Sequence, residues 1–276
     1  MRFAVVAPNV GAYGDARTVA GLAREAEAAG WDGFFVWDTI EYDHQPVCDV
    51  WLTLAVVATA TERVRLGPLV LSMARRRPWK VAREALTLDH ISGGRLTLGV
   101  GAGYEEEGFT RFGEPADPRR KAERLDEGLA IVNGLLSGEP FSYAGTHYTV
   151  RETTFLPRPV NGTIPVWVAA NRPLETVGPL RRAARQDGIL GGIRRADVGE
   201  VRARIAGYRG AAGLADAPFD VVVSVFDPDQ PVPTPADVED CEAAGVTWLR
   251  YEVGPLFGTV DSIERARRLI SRGPPR

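Results

Sequence analysis

The sequence predicts an α/β protein built as a closed (β/α)₈ TIM barrel. Eight short apolar segments typical of buried strands recur along the 276 residues. Each is followed by a segment with helical periodicity. The helical segments are about 10 to 15 residues long, which favours parallel pairing of the strands. Eight such units in about 250 residues are typical of this barrel. The rival architecture is an open doubly wound sheet, which usually has fewer strands and a topological switch point.

The first two units are predicted from apolar runs and helix-end signals. Residues 3–7 form an apolar run typical of a buried strand. The following helix can be capped by the carboxylate of Asp15. It ends at Gly30, since glycine suits the position after a helix. The second strand is GFFVWD at 33–38, and 49–60 is a mostly apolar helix.

The third and fourth units continue the alternation. The third strand is VRLGPLVLS at 64–72. The helix over 78–91 begins with Pro78, a residue favoured in the first helical turn. The fourth strand, 95–100, runs into three glycines spaced two apart.

The alternation is interrupted around the fourth helix, 119–136, which carries a leucine and valine stripe. The polar segment 104–118 precedes it and 137–164 follows it, including a predicted hairpin at 140–150. We interpret both as excursions around helix four. The composition does not shift along the chain, so we expect residues 1–276 to form a single barrel domain.

The second half resumes the pattern. The remaining strands are predicted at 166–170, 187–190, 219–226 and 246–253, each followed by a helix, at 173–186, 196–212, 235–244 and about 259–271.

Composition excludes several classes of protein. The formal net charge is −3, which does not favour nucleic acid or an anionic membrane as a partner. No apolar run is long enough to span a membrane. Cys48 and Cys241 lie far apart, so a disulfide framework is not expected and a reducing compartment is favoured. We expect a cytoplasmic protein.

In a (β/α)₈ barrel the functional site lies at the C-terminal ends of the strands. The sequence places the following residues at those ends: Ala7, Pro8, Asn9, Trp37, Asp38, Ser72, Met73, Gly101, Ala102, Gly103, Tyr104, Ala170, Asn171, Gly191, Gly192, Ile193, Phe226, Asp227 and the segment 252–254.

Each polar or glycine motif among these residues has two interpretations. Gly99-x-Gly101-x-Gly103 lacks the dinucleotide-binding spacing. It either lets a flat ligand lie against the backbone or forms a tight packing corner. The arginines at 75–77 either hold an anionic group or belong to a solvated loop. Asp38 is either a site residue or a carboxylate that anchors a loop.

The histidines show no metal-ligand spacing, so no metal site is predicted. His44 follows the second strand, near Asp38, and is the one histidine considered as an acid or base.

Four segments resemble one family. They are GWDGFFVWD, ATATERVRLGPLVLSMARRRPWKVAREALTLDHISGGRLTLGVGAGY, RRKAERLDEGLAIVNGLLSGEPFSYAGTHYTV and FLPRPVNGTIPVWVAANRP. In this order and spacing they resemble the bacterial luciferase-like group of flavin- and deazaflavin-dependent oxidoreductases. The resemblance covers roughly residues 1–195 and is looser afterwards.

The resemblance implies that FMN or coenzyme F420 binds at the strand ends, with its ring near the small residues of the fourth strand. It implies a non-proline cis peptide bulge at Ser72–Met73. Ala170–Asn171 and Gly191–Ile193 match positions that hold the ribityl chain and phosphate. The sequence departs from the family in two ways. Thr39 follows Asp38 where many relatives have histidine, and the loop after the seventh strand is short.

The resulting prediction is a cofactor-dependent oxidoreductase acting on a small organic substrate. It is either a monooxygenase using reduced FMN and O₂ or an F420-dependent hydride-transfer enzyme. Asp38 or His44 would manage a proton, and Trp37 and Tyr104 would line the ring or substrate. A separate flavin or F420 reductase and a homodimer are expected.

Two alternatives belong to other classes. One is a non-catalytic flavin-binding homologue, which the missing histidine after Asp38 favours. The other is a hydrolase or aldolase that uses Asp38 and a lysine. The two lysines, Lys80 and Lys121, lie in helical patterns, which disfavours Schiff-base chemistry.

Overall fold

The computed structural model describes residues 1–103, 108–114, 116–225, 235–254 and 262–275. The strands in these ranges are β1 Arg2–Ala7, β2 Gly33–Val36, β3 Arg65–Pro68, β4 Leu71–Ser72, β5 Leu98–Gly101, β6 Phe141–Ala144, β7 Thr149–Thr153, β8 Val166–Ala169, β9 Gly188–Gly191, β10 Asp220–Val225 and β11 Trp248–Glu252. The helices are α1 Ala16–Ala28, α2 Val50–Ala60, α3 Pro78–Ile91, α4 Pro118–Leu136, α5 Val177–Ala184, α6 Val198–Ala211, α7 Pro235–Ala244 and α8 Ile263–Ser271.

Nine of the strands form one parallel sheet in the order β3-β2-β1-β11-β10-β9-β8-β5-β4. The sheet closes on itself because Leu66 of β3 also bonds the chain just before β5. Its N–H donates to the carbonyl of Arg95 at 3.1 Å and its carbonyl accepts from the N–H of Thr97 at 2.9 Å. Since β3 and β4 are two parts of the third strand, the ring has eight strands. The predicted (β/α)₈ barrel is confirmed.

The third strand differs from the prediction of one continuous segment. β3 pairs with β2, whereas β4 pairs with β5. The interruption falls at Leu69–Val70, which are joined by a non-proline cis peptide bond. The prediction of such a bond at Ser72–Met73 is therefore wrong by three residues. Beyond the end of β3, Leu69 packs against Gly99 of β5, where a Cβ would lie 2.5 Å from Leu69 Cδ1.

The excursion around the fourth barrel helix has the predicted hairpin. β6 and β7 pair in antiparallel fashion. The carboxylate of Glu127, on α4, accepts hydrogen bonds from the backbone N–H groups of Thr146, His147 and Tyr148. These bonds fix the hairpin turn on the helix. Residues 104–107 and 115 lie outside the described ranges.

The helix ends predicted from Asp15, Gly30 and Pro78 are confirmed. The Asp15 carboxylate accepts from the N–H of Thr18, which caps α1, and Gly30 has a φ of +87°. α3 has the predicted bounds. α2 is apolar on nearly all sides, and its outer face leaves Leu52 and Val56 exposed. Among the described helices, none has the length and apolarity needed to cross a membrane.

One cluster of buried side chains fills the interior of the barrel. Its aromatic members are Phe35, Trp167 and Trp248, with ring centroids 5.4 to 6.2 Å apart. Its aliphatic members include Leu69, Leu190 and Val222. Because side chains alternate along a strand, the inward residues of β11 after Trp248 are Arg250 and Glu252. The mouth of the barrel is therefore polar.

Candidate active site

A cavity of about 1080 Å³ opens at the C-terminal mouth of the barrel. Its size suits a large organic ligand. Most of the predicted strand-end residues that the structure describes border it. They are Trp37, Asp38, Ser72, Gly101, Ala102, Gly103, Asn171, Gly191, Gly192, Ile193 and Glu252.

Several predicted site residues are elsewhere. Ala7 and Ala170 are buried and do not border the cavity. Met73 lies in the core between the barrel and α4, where a Cβ added at Gly128 would be 3.1 Å from its Cε. His44 is exposed in a turn, where its backbone N–H donates to Glu41, so it does not reach the cavity. Tyr104, Phe226 and Asp227 lie outside the described residues.

The glycines at the end of the fourth strand serve close packing. A Cβ on Gly101 would lie 2.9 Å from Val70 Cγ1 and 3.3 Å from the Cβ of Ala169. Gly103 has a φ of +85°, and a Cβ there would lie 2.8 Å from the ring of Phe109. The packing interpretation therefore holds for this stretch. It is also what allows the backbone at 101–103 to form one wall of the cavity.

The two glycines after β9 bring a second loop to the rim. Gly191 has a φ of +127°, and a Cβ there would lie 2.7 Å from the carbonyl oxygen of Ala170. The neighbouring Gly192 packs in the same way against the carbonyl of Asn171. The ends of β8 and β9 therefore approach through their backbones, and the rim presents peptide groups at this point.

Asp38 is a buried anchor between the second and third strand ends. Its Oδ2 lies 2.9 Å from Arg75 Nη2 and accepts from the N–H of Ser72 at 2.9 Å. Its Oδ1 lies 2.5 Å from Arg76 Nη2. The side chains of Arg75 and Arg76 are only 5 % and 18 % exposed, so a solvated loop is the wrong description of them. Both oxygens are occupied, which favours the anchoring interpretation of Asp38.

A second carboxylate borders the cavity at the end of β11. Glu252 forms an ion pair with Arg250 Nη1 at 2.7 Å, and its other oxygen accepts from the indole N–H of Trp37 at 3.1 Å. The Glu252 side chain is 6 % exposed. Burial raises the pKa of Glu252, and the contacts with Arg250 and Trp37 offset only part of this effect. Glu252 is thus a group that can hold a proton beside the cavity.

Arg250 carries a buried donor without an acceptor. Within the described part of the chain, its Nε has no hydrogen-bond partner, although the side chain borders the cavity. A buried polar group without a partner is costly, and an acceptor on a ligand in the cavity would satisfy this one. The strand-end positions predicted from the sequence include Glu252, without a role, and do not include Arg250. Two charged residues at alternate positions of an otherwise apolar strand were the available signal.

These features fit a flavin or deazaflavin. The volume accommodates a tricyclic ring. The described wall combines apolar side chains, such as Val70, Ala169 and Leu190, with backbone edges and the donor of Arg250. Within the described ranges, no group of three histidine, cysteine, aspartate or glutamate side chains is placed to hold a metal ion.

Comparisons with known proteins agree with this geometry. Residues 1–226 match the family described as luciferase-like monooxygenase. An uncharacterised protein of Mycobacterium tuberculosis is 31% identical over 226 residues, or 75% of this chain and 76% of the relative. An F420-dependent glucose-6-phosphate dehydrogenase of Beutenbergia cavernae is 37% identical over 158 residues, covering 55% of this chain and 46% of the relative. The F420-dependent tetrahydromethanopterin reductase of Methanopyrus kandleri superposes with a TM-score of 0.78 at 18% identity, over 99% of this chain and 98% of that one.

Proposed function

The chain belongs to the luciferase-like monooxygenase family, and from that premise we propose that it is an oxidoreductase that binds a deazaflavin or flavin in the cavity at the barrel mouth. The observation that carries the proposal is the cavity itself, about 1080 Å³ and bordered by the ends of the barrel strands. In a barrel of this kind the strand ends hold the reacting groups.

Coenzyme F420 is the cofactor we place first. The relative from Beutenbergia cavernae, which is F420-dependent by name, supports it. FMN is the second candidate, since the family is described as monooxygenases. When bound, F420 supplies hydride transfer, and reduced FMN supplies oxygen activation. With FMN, a separate reductase would have to provide the reduced cofactor.

The protein's part is to place and shield the cofactor. Val70 and the backbone at 101–103 border one side of the cavity, where a flat ring can lie against small residues. The loop 191–193 and Asn171 border the rim and suit the polar chain of the cofactor. Trp37 and Glu252 both border the cavity, and the indole N–H of Trp37 donates to the Glu252 carboxylate.

Glu252 is the residue we assign to proton transfer. Its carboxyl is buried beside the cavity, and its pKa is raised by that burial. Asp38 is less suited to this role because two arginines and a backbone N–H stabilise its charged form, whereas Glu252 contacts one arginine and an indole N–H. A small organic substrate would give its proton to Glu252 or take one from it. Glu252→Gln keeps the shape of the side chain and removes this capacity.

We also propose that the protein is a cytoplasmic homodimer. The support for the dimer is α2, whose outward Leu52 and Val56 are exposed on a helix that is apolar on nearly all sides. Such a helix is normally buried. A second copy of the chain can cover this face.

The function is tested by titrating the purified apoprotein with F420 and, separately, with FMN, following ligand fluorescence. Tight binding of F420 alone supports hydride transfer. Tight binding of FMN alone supports oxygen chemistry with a partner reductase. Binding of neither contradicts the proposal. Cofactor binding without turnover under any reductant, with a panel of small alcohols, aldehydes and acids, favours the non-catalytic homologue.

A further inference from the structure

The guanidinium of Arg250 contacts Glu252 through Nη1. Its opposite edge, formed by Nε and Nη2, has no acceptor among the described residues. We propose that this edge, Nε together with Nη2, is a subsite for a carboxylate group, and that the enzyme's substrate is a carboxylic acid. The inference deepens the proposed function, on which the assignment of the carboxylate to a substrate rests.

Three other arginines at this end of the barrel bind a carboxylate through the edge formed by Nε and Nη2. Arg182 donates from Nε and Nη2 to the two oxygens of Asp126, at 2.6 and 2.8 Å. Arg194 binds Asp197 in the same way, at 2.6 and 3.1 Å. Arg76 binds Asp38 through the same two nitrogens. This parallel arrangement is the favoured geometry of an arginine and a carboxylate.

Arg250 departs from that pattern. It contacts Glu252 through Nη1 at 2.7 Å, and its Nε is buried without a partner among the described residues. Glu252 therefore fixes the guanidinium from one end and leaves the chelating edge turned away from itself. An edge that three neighbouring arginines use for carboxylates is available for a fourth carboxylate, supplied by a ligand.

The position within the barrel favours the substrate as the source. Arg250 pairs in register with Ser224 of β10, and both border the cavity just beyond Val222 and Leu190 of the barrel core. This is the inner end of the cavity. The anionic groups of F420 and FMN sit at the end of a long side chain, which suits the outer rim. The Ser224 hydroxyl is a second donor beside the guanidinium.

The charge favours a carboxylate over a phosphate. Arg250 supplies a single positive charge, and its neighbour Glu252 adds none. A carboxylate adds one negative charge, whereas a phosphate monoester adds about 1.5 to 2 at neutral pH. A monoanion with two oxygens in one plane matches both the charge and the edge.

The test is calorimetric titration with benzoate, benzamide and inorganic phosphate, with and without bound cofactor. The proteins are the wild type, Arg250→Lys and the matched control Arg182→Lys, whose parent arginine already binds Asp126. Lysine keeps the charge and loses the chelating edge. We expect benzoate to bind the wild type at least ten-fold more tightly than benzamide or phosphate. We expect Arg250→Lys to remove that preference and Arg182→Lys to retain it.

Three results would overturn the subsite: equal binding of benzoate and benzamide, equal binding of benzoate and phosphate, or unchanged benzoate binding by Arg250→Lys. A parallel titration with F420 and FMN separates the two proposals. If Arg250→Lys loses as much cofactor affinity as benzoate affinity, the Nε–Nη2 edge binds the cofactor. That result would overturn the assignment of the edge to the substrate. Failure of the wild type to bind either cofactor would contradict the proposed function, while the benzoate series still reports on Arg250. If Arg250→Lys does not fold, the same titrations are made with Ser224→Ala, which removes the second donor of the subsite. Unchanged benzoate affinity of Ser224→Ala would then overturn the subsite.

Discussion

Replacing Asp38 by alanine should lower the free energy of unfolding and should not act directly on the chemical step. The substitution removes the shared acceptor of Arg75 and Arg76, whose side chains are 5 % and 18 % exposed. It also removes the acceptor of the Ser72 N–H. Removing one member of a buried ion pair costs about 3–5 kcal/mol, because the partner charge stays buried. We therefore expect the free energy of unfolding to fall by about 4 kcal/mol.

The assay is urea unfolding followed by circular dichroism, with thermal unfolding alongside. A loss of this size lowers Tm by about 8 °C or more in a chain of this length. Asp126→Asn is the matched control, since it also breaks an arginine–aspartate pair, but the Asp126 side chain is 58 % exposed. An exposed pair contributes less than about 1 kcal/mol.

One result would refute the reasoning about Asp38. If Asp38→Ala unfolds at the wild-type urea concentration but turnover falls by a hundred-fold or more, Asp38 acts on the reacting atoms. If both properties fall together, Asp38→Asn separates them. It keeps the size of the side chain and one oxygen acceptor, so its stability should lie between those of Asp38→Ala and the wild type.

Three further predictions concern Glu252, Gly191 and Leu52. The raised pKa of Glu252 means that the folded state holds a proton which the unfolded state releases above about pH 4.5. The wild type should therefore lose stability relative to Glu252→Gln as pH rises from that value, measured by urea unfolding; a pH-independent difference would contradict the assignment. Gly191→Ala should cost about 2–3 kcal/mol in the same assay, because the φ of +127° and the Ala170 carbonyl both oppose a Cβ. Gly178→Ala, where a Cβ meets nothing within 4 Å, should cost almost nothing, and equal losses would be inconsistent with this reasoning. Leu52→Glu should convert the proposed dimer to a monomer in light scattering, whereas an unchanged mass would remove α2 from the interface.

Local signals were sufficient for most of the fold. Asp15, Gly30 and Pro78 each mark a helix end by a mechanism confined to a few residues, and all three ends were predicted correctly. The break in the third strand could not be predicted locally, because its two halves pair with different neighbours that are distant in sequence. Leu69, at the break, packs against Gly99 of another strand.

The site was predictable as a set of positions but not as a set of roles. Strand ends can be read from apolar runs, and most of the predicted positions do border the cavity. The function of Asp38 depends on two arginines that arrive from the loop after the next strand. Arg250 was not selected and Glu252 received no role, because their contacts depend on the register of β11 against β10 and β1, which the sequence does not specify.

Closure of the ring also determines when folding can be completed. β1 lies between β2 and β11, so the first strand of the barrel is fully paired only after the last strand has formed. Their register joins Arg2–Val6 to Trp248–Glu252, across nearly the whole described chain. Contacts of such separation form late, because the entropy of closing the loop must be overcome first. Until then, β1 and β10 are open edges that can pair with another chain. Slow closure therefore exposes a nascent or refolding chain to aggregation, and mutations that weaken β11 should reduce soluble yield before they alter the properties of the finished protein.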